Sequence, residues 1–394
     1  MNIPLIDLKA QYESIAKDLN EATLGVLSSA GYIMGKNVLE LERKFAEYTE
    51  TKYAISVGNG TDALVIALKA LGIKEGDEVI TTPFTFFATA ESISAVGAIP
   101  VFVDIVKETF NIDPSKIEEK ITKRTKAIMP VHIFGQSADM DAINEIAKKY
   151  NLKVIEDACQ AVGAEYKGKR IGSLGDVACF SFFPTKNLGC AGDGGMIVTS
   201  DENVATIARA LRTHGSGENG QKAYNLLNNI DEEIETIKNA DDTVYNPLKY
   251  YNYLIGHNSR LDAMQAAILL EKIKHIDKWN AKRREIAAIY DENLKDTDLV
   301  TPYIDKNNTA VYHMYILQSD NREAILKKLQ SKNVSTGVYY PVPLHLQKAY
   351  KNLGYKEGDM PVAEYLSHRT FAIPVYPELN TNQIEYIVNS IKEK

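Results

Sequence analysis

The chain has 394 residues, a formal net charge of −7 at pH 7, and 45% hydrophobic residues, enough for one large and one small domain. An acidic chain argues against a nucleic-acid-binding protein, whose binding surface is basic. No apolar run approaches the about 18 residues of a membrane span, and residues 1–7 lack an export signal. The three cysteines lack metal spacing and are too few for a disulfide framework, so we expect a cytoplasmic protein without a metal site.

The first half of the chain alternates short apolar runs with amphipathic segments. Residues 1–50 predict an arm and a helix, a break at 31–35 and a second helix at 38–48. The strands predicted after these are 54–57, 78–81, 99–103, 127–131, 153–156, 177–183 and 196–199, and the helices are 63–71, 88–96, 140–150 and 204–212. Such alternation is typical of βαβ units, so we expect a mostly parallel sheet with helices on both faces.

The second half of the chain differs from the first in composition and in the order of its predicted elements. Residues 216–247 are rich in Asn, Asp and Glu, and predict an exposed acidic insertion that is partly helical around 230–237. Beyond it, the pattern predicts helices at 261–273, 279–294, 322–330, 361–370 and 383–391, and strands at 311–317 and 335–340. We therefore expect an N-terminal arm and large domain over 1–265, and long helices with a small α+β domain over 266–394.

The first candidate site residues follow the first two strands. In open α/β sheets, ligands bind at the carboxyl ends of the strands. Gly60 and Thr61 follow the first strand and open a helix, whose first N–H groups are suited to a phosphate. Phe86 follows the second strand, where an aromatic side chain can form a wall for a planar ring. A tight turn and ordinary core packing explain the same residues without a ligand.

Two more candidates follow the later strands. Asp157 ends a buried strand, where a carboxylate is costly unless it is paired. Ser181 lies near the end of the next predicted strand and Lys186 follows it, among glycines and apolar residues that favour an uncharged, nucleophilic amine. An anion cradle, an aromatic wall, a buried carboxylate and a lysine together match what pyridoxal phosphate requires.

Three other patterns carry less weight. The spacing of Gly58 and Gly60 half-matches a dinucleotide fingerprint, but a nicotinamide dehydrogenase leaves Lys186 unexplained. Residues 163–170 copy a phosphate-binding loop until Arg170, which stands where Ser or Thr would hold Mg²⁺, so we reject that motif. His132 follows a strand and is interpreted as a hydrogen-bonded buried histidine.

Four motifs in this chain resemble the DegT/DnrJ/EryC1/StrS family of nucleotide-sugar aminotransferases. They are NGTDAL at 59–64, EDACQA at 156–161, SFFPTKNLG at 181–189 and GHNSRLD at 256–262. The resemblance covers nearly the whole length. It implies the α/β fold of pyridoxal phosphate-dependent transferases of fold type I, which resembles aspartate aminotransferase. Such a fold has a large domain with a mostly parallel sheet flanked by helices, and a small C-terminal α+β domain.

The resemblance also implies residue roles at the cofactor. Lys186 would form the Schiff base with the cofactor and shuttle the proton, and Asp157 would keep the pyridine nitrogen protonated. The other implied cofactor contacts are Gln160 at the ring hydroxyl, Phe86 on the ring face, and Gly60, Thr61 and Ser181 at the phosphate. Asn258 would reach the phosphate of the partner subunit, with Arg260 close by, so the site would be complete only in a homodimer.

For the substrate, the resemblance implies a position between the large domain and the C-terminal segment. The candidate contacts are Tyr32, His313, Tyr315 and His345, and interdomain packing explains Tyr32, His313 and His345 equally well. The insertion at 216–247 lengthens the connection that leads to Asn258, compared with the family pattern, so it is expected to affect dimer contacts or the sugar pocket.

The implied activity is transfer of an amino group from L-glutamate to a keto group of a dTDP- or UDP-linked keto-hexose, with C3 favoured over C4. A pyridoxamine-dependent sugar dehydratase on the same fold has histidine in place of the lysine, so Lys186 argues against it. A non-catalytic regulatory or binding protein that keeps the fold is a further alternative, which the presence of Lys186, Asp157 and Gln160 disfavours.

Overall fold

The structure is a computed structural model that describes residues 1–234 and 250–393. A seven-stranded sheet forms its centre, with strand order β1-β9-β8-β5-β4-β2-β3. The strands are β1 (Tyr53–Val57), β2 (Glu78–Thr81), β3 (Ile99–Phe102), β4 (Thr125–Met129), β5 (Lys153–Asp157), β8 (Val177–Ser181) and β9 (Gly195–Thr199). Only β9 is antiparallel to its neighbours in this sheet, which confirms the mostly parallel sheet.

Helices cover both faces of this sheet. They are α1 (Leu8–Ser29), α2 (Lys36–Tyr48), α3 (Gly60–Ala70), α4 (Ala88–Ala95), α5 (Met140–Tyr150), α6 (Glu202–Leu211), α7 (Gly217–Asn228), α8 (Ala263–Lys272) and α9 (Ile276–Leu294). Successive strand side chains point to opposite faces, so Ile80 joins the core that contains Phe45, whereas Val79 joins the core that contains Leu64. Two apolar layers therefore enclose the sheet, as the continuous apolar strands predict.

The C-terminal part contains a smaller sheet and its own apolar core. Strands β11 (Tyr315–Gln318) and β12 (Thr370–Ile373) pair antiparallel, and the helices are α10 (Arg322–Ser331), α11 (Pro361–Ser367) and α12 (Thr381–Lys392). Tyr290, Phe371 and Ile387 are buried in that core. A third sheet joins β6 (Glu165–Tyr166), β7 (Lys169–Arg170) and β10 (Asn308–Thr309). The domain boundary at 265/266 stays a prediction.

The predicted insertion at 216–247 needs one correction. Its helix is α7 (Gly217–Asn228), which ends at Asn229 in the left-handed conformation, and residues 231–234 are not helical. α7 is also partly buried, through Gln221 and Ala223 among others, and it packs against α6, so this part is not an exposed excursion. The remainder of the predicted helix at 230–237, and residues up to 247, lie outside the described residues.

Two further predictions in the C-terminal part were wrong. Residues 335–340 form no strand, because Val334 bridges to Ile3 whereas Gly337 bridges to Ala372, so the segment changes partners instead of continuing one ladder. The helix predicted over 361–370 ends at Ser367, and Thr370 begins β12. Pairing with β11 overrides the local helical pattern there.

Within 1–234 and 250–393, none of the helices is both long and apolar enough to cross a bilayer. In the same ranges, His, Cys, Asp and Glu side chains form no group of three or more that is placed to hold a metal ion.

Candidate active site

The polar residues predicted from the strand ends come together at one edge of the sheet. Strands β1, β2, β4, β5 and β8 run in one direction, so their carboxyl ends meet there. Asp157 is the last residue of β5 and Ser181 is the last residue of β8. α3 starts at Gly60, just beyond β1. The topology alone therefore assembles residues that are distant in sequence.

Asp157 is buried and held by short hydrogen bonds. Its exposed fraction is 4%. The hydroxyl of Thr89 donates to Oδ2 at 2.7 Å, and the backbone N–H of Cys159 reaches Oδ1 at 3.3 Å. The Thr85 hydroxyl lies 3.1 Å from that of Thr89, which extends the network. These neutral donors orient the carboxylate, and its two oxygens can accept further hydrogen bonds from a cationic partner.

Glu156, the preceding residue, has the opposite role. It is fully buried on the other face of β5, and its carboxylate accepts three backbone N–H groups from residues 172–175 at 2.7 to 3.0 Å. His132 Nε2 lies 3.0 Å from the same carboxylate, and His132 Nδ1 accepts the N–H of Ala138 at 3.1 Å. Because Nδ1 is an acceptor, Nε2 carries the proton towards Glu156. The interpretation of His132 as a hydrogen-bonded buried histidine is confirmed.

Lys186 lies in a tight loop that folds back onto β8. Its backbone N–H donates to the carbonyl of Phe183 at 2.8 Å, and the N–H of Cys190 donates to the carbonyl of Phe182 at 2.7 Å. Burial lowers the pKa of Lys186, although nearby Cys159 and Asp157 act in the opposite direction. A larger fraction of this amine is therefore uncharged near neutral pH than in an exposed lysine, which suits a nucleophile.

The turn between β1 and α3 forms an anion cradle. Asn59 caps α3 by accepting the N–H of Asp62 at 2.8 Å, which leaves the N–H groups of Gly60 and Thr61 at the open end of the helix. A Cβ atom at position 60 would lie 2.7 Å from the Cβ of Ser181. Only glycine therefore allows the start of α3 to approach Ser181 this closely, which places the Ser181 hydroxyl beside the first N–H groups of the helix, a set of donors suited to a phosphate.

Gln160 and Phe86 differ in how far they are buried. Gln160 is buried, its Oε1 accepts the N–H of Phe134 at 2.8 Å, and its Nε2 donates to the Tyr340 hydroxyl at 2.9 Å. The ring of Phe86 is 62% exposed at the start of α4 and is available for stacking. Tyr340 is a residue that the sequence analysis missed, because it lies in a segment interpreted as a plain strand.

The segment around Asn258 lies directly behind the cradle. The Ser259 hydroxyl accepts the N–H of Gly58 at 2.9 Å and donates to Asp62 at 2.6 Å, which fixes this segment to the start of α3. Asn258 itself is exposed and Arg260 is half-buried. Ser259 was not predicted, although its position inside the 256–262 motif is a signal that could have identified it.

Two of the four predicted substrate contacts, His313 and Tyr32, lie beside open space. His313 is buried close to Lys186 and lines an open cleft together with Thr185, Arg283 and Tyr339. Tyr32 is 45% exposed between α1 and α2, where its carbonyl accepts the N–H of Ala263 at 2.8 Å.

The other two predicted substrate contacts, Tyr315 and His345, are buried in the C-terminal part. Tyr315 is fully buried on β11, and its hydroxyl donates to Asp291 at 2.6 Å. His345 is 1% exposed, with Nε2 at 2.9 Å from Glu364. Packing in the C-terminal part encloses both side chains, so their role as substrate contacts stays a prediction.

An amine with a lowered pKa, a buried carboxylate and a phosphate cradle at one sheet edge are the parts that pyridoxal phosphate needs from a protein. The donors of this cradle, which glycine at position 60 allows to lie beside Ser181, fit the phosphate of the cofactor. Fold and site together define a pyridoxal phosphate-dependent enzyme.

Comparison with known proteins specifies the family. The model of the DegT/DnrJ/EryC1/StrS aminotransferase family matches residues 13–392, and the chain belongs to this family. It is therefore a pyridoxal phosphate-dependent aminotransferase, in agreement with the fold and the resemblance noted from the sequence.

Three relatives illustrate the range of the family. A pleiotropic regulatory protein of Geobacillus stearothermophilus is 46% identical, over 100% of this chain and 98% of its own length. The UDP-2-acetamido-2-deoxy-3-oxo-D-glucuronate aminotransferase of Pseudomonas aeruginosa is 43% identical, over 98% of both chains. The crystal structure of S. venezuelae DesV in complex with a ketimine intermediate has a TM-score of 0.90 at 37% identity, over 100% of this chain and 98% of that one.

Proposed function

We propose that this protein transfers an amino group from L-glutamate to the C3 keto group of a UDP- or dTDP-linked hexose. The observation that carries the proposal is Lys186, whose amine has a lowered pKa at the same sheet edge as Asp157. The relative from Pseudomonas aeruginosa, named for a 3-oxo-glucuronate substrate linked to UDP, supports the substrate class and the keto position.

The residues of this chain would divide the work as follows. The Lys186 amine would hold the cofactor and move a proton at the reacting carbon, while Asp157 would hold the proton on the pyridine nitrogen. The further cofactor contacts would be Gln160 at the ring hydroxyl, Phe86 on the ring face, and the Gly60 and Thr61 N–H groups with the Ser181 hydroxyl at the phosphate. When bound, the cofactor supplies an electron sink, which it needs a protonated ring nitrogen to provide.

A homodimer in the cytoplasm completes the proposal. Asn258 is exposed beside the cradle, and the nearby side chains of Tyr250, Tyr251 and Ile255 are 73%, 60% and 91% exposed. An apolar surface of this kind suits a partner subunit, to which Asn258 and Arg260 would contribute. The free cysteines Cys159, Cys179 and Cys190 suit a reducing compartment.

The name of the Geobacillus relative supports a second candidate, a regulatory protein. Regulation through the fold alone requires no nucleophile, whereas this chain keeps Lys186 with its lowered pKa. The same lysine separates the chain from the dehydratases that resemble it. We therefore place catalysis first, and an assay of turnover distinguishes the two functions.

The proposal is tested with the pyridoxamine-loaded protein and a panel of 3-keto and 4-keto sugars linked to UDP or dTDP. We expect the fastest return of the pyridoxal absorbance with a 3-keto sugar, and mass spectrometry should show the amino sugar formed. Faster reaction with the 4-keto sugars would overturn the assigned position. Absence of reaction across the panel, in protein that L-glutamate converts to the pyridoxamine form, would overturn the substrate class.

A further inference from the structure

A chain of three buried polar side chains connects the loop of Lys186 to the C-terminal part of the molecule. Asn280 Nδ2 donates to the carbonyl of Val162 at 3.0 Å, and Asn280 Oδ1 accepts from Asn187 Nδ2 at 2.8 Å. Asn187 Nδ2 also donates to the carbonyl of Val311 at 2.9 Å. The remaining atom of that amide, Oδ1, lies 3.3 Å from Nδ1 of His313. The exposed fractions of the three side chains are 1%, 5% and 7%.

These contacts determine which nitrogen of His313 carries the proton. A backbone carbonyl only accepts hydrogen bonds, so the amide atoms that face Val162 and Val311 must be nitrogens. The oxygen of Asn187 is then the atom that faces His313, and an oxygen requires a donor. Nδ1 must therefore be protonated, and Nε2 of a neutral ring is left as an acceptor.

The surroundings keep the ring neutral. Burial lowers the pKa of His313 well below its usual range, and the nearby charges of Lys186 and Arg283 lower it further. Among the residues that the structure describes, Nε2 has no hydrogen-bond partner, and it remains accessible where the ring lines the cleft beside Thr185. Nε2 of His313 is thus a fixed hydrogen-bond acceptor in the cleft next to Lys186, and it has no proton to donate.

We propose that His313, held as the Nδ1–H tautomer by Asn187 and Asn280, determines specificity by accepting a hydrogen bond at Nε2 from a hydroxyl group of the sugar. An acceptor at this position favours a hydroxyl and disfavours a carbonyl, carboxylate or phosphate oxygen, all of which lack a proton. The inference rests on the proposed function for the identity of the ligand, whereas the tautomer depends only on this chain.

The tautomer is tested by ¹⁵N NMR of the full-length protein labelled at histidine, before and after loading with pyridoxal phosphate. The signal of His313 is assigned by its loss in H313N. We expect a protonated Nδ1 and an unprotonated Nε2 from pH 8 to pH 6. A protonated Nε2, or a doubly protonated ring at pH 7, would overturn the proposal whatever the enzyme does with sugars.

The contact to the sugar is tested with two substitutions of His313. Both should change the stability of the protein to the same extent, so a difference in KM between them reports the contact. In H313N the amide nitrogen takes the place of Nδ1 and keeps the bond to Asn187, but no atom replaces Nε2. In H313Q the amide reaches the place of Nε2 and its oxygen can accept the hydroxyl. We expect KM for the reacting nucleotide sugar to rise about tenfold or more in H313N and less in H313Q, with thermal unfolding alike. Equal KM values in the two variants would overturn the contact.

Deoxy substrate analogues identify the hydroxyl group that contacts His313. Deoxy versions of the nucleotide sugar remove its hydroxyl groups one at a time. One of them should lose about tenfold in kcat/KM with the wild-type enzyme but nothing further with H313N. Equal losses in both proteins for every analogue would show that no sugar hydroxyl meets His313. If no nucleotide sugar reacts with the wild type, the proposed function fails, and the NMR result alone then decides the tautomer.

Discussion

The sheet edge around Lys186 and the packed C-terminal part both hold polar side chains that a sequence can suggest as site residues. At the sheet edge, the Asp157 carboxylate and the open end of α3 keep hydrogen-bonding capacity for a ligand. In the C-terminal part, the Tyr315 hydroxyl is directed to Asp291, and Nε2 of His345 is directed to Glu364. Proximity to the cleft between the two parts is therefore weaker support for a site than unused donors and acceptors.

The largest expected effect comes from the sheet edge, with Lys186→Ala. Without the amine, the protein has neither the attachment point for the cofactor nor the group that moves the proton, so transamination should fall by at least about 10³-fold. The visible absorbance band of the loaded protein should also disappear. Lys153→Ala is the control, because that lysine is exposed and pairs with Asp176. Wild-type turnover in the Lys186 variant would remove the sheet edge from the mechanism.

Asp157 and Glu156 are neighbouring carboxylates on β5, and we expect one to act in catalysis and the other in stability. Asp157→Asn should retain the fold but slow the half-reaction by about 10²- to 10⁴-fold, because a neutral amide does not hold the proton on the ring nitrogen. Glu156→Gln should instead destabilise the protein by about 3 kcal/mol, because its amide group faces backbone donors that the carboxylate satisfied. The measurements are single-turnover kinetics and chemical unfolding. If the two variants showed the same pattern, the assignment of one catalytic and one structural carboxylate would be wrong.

Gly60→Ala tests the phosphate cradle, and its effect on the protein should be smaller than that of the preceding variants. The added methyl group would lie 2.7 Å from the Cβ of Ser181 and 3.2 Å from the sulfur of Cys159, so it pushes the start of α3 away from Ser181 and separates the donors of the cradle. We expect affinity for pyridoxal phosphate to fall about tenfold to a hundredfold, measured by equilibrium titration of the cofactor-free protein. Pyridoxal without phosphate is the control, since its affinity should change little. An equal loss for both ligands would place the phosphate elsewhere.

The same contrast explains what the sequence could predict. The strands of the large sheet were predicted to within a few residues, because buried strands and amphipathic helices have distinct apolar periods. Candidate residues such as Asp157 and Ser181 followed because each stands at the end of its strand. Parallel topology then brings these ends together without any information on long-range contacts.

The remaining features depend on contacts that no local pattern contains. Tyr340 meets Gln160, and Asn280 meets Asn187, only after the C-terminal part packs on the large sheet. Strand β12 was hidden inside a helical pattern at 361–370, since its pairing with β11 is a tertiary contact. The insertion was misjudged for the same reason, because α7 is buried by α6 and not by its own sequence.

Tyr315→Phe should have the smallest effect on activity, because it removes a hydroxyl that is used in packing. Burial raises the pKa of Asp291, and the hydrogen bond from Tyr315 opposes that rise. Loss of the hydroxyl should therefore raise this pKa further and destabilise the charged carboxylate by about 1 to 3 kcal/mol. The destabilisation should be full at neutral pH, where Asp291 is ionised, and should shrink as acid protonates it in both proteins.

Chemical unfolding at several pH values measures this loss, and KM for the nucleotide sugar should stay within about twofold of the wild type, as expected for a side chain remote from the substrate. Tyr303→Phe is the matched control, because that ring is 51% exposed and should change neither quantity. An increase in KM with unchanged stability would mean that Tyr315 reaches the substrate after all. The C-terminal part would then contribute polar contacts to the site in the way that the sheet edge does, and unused hydrogen-bonding capacity would no longer separate the two regions.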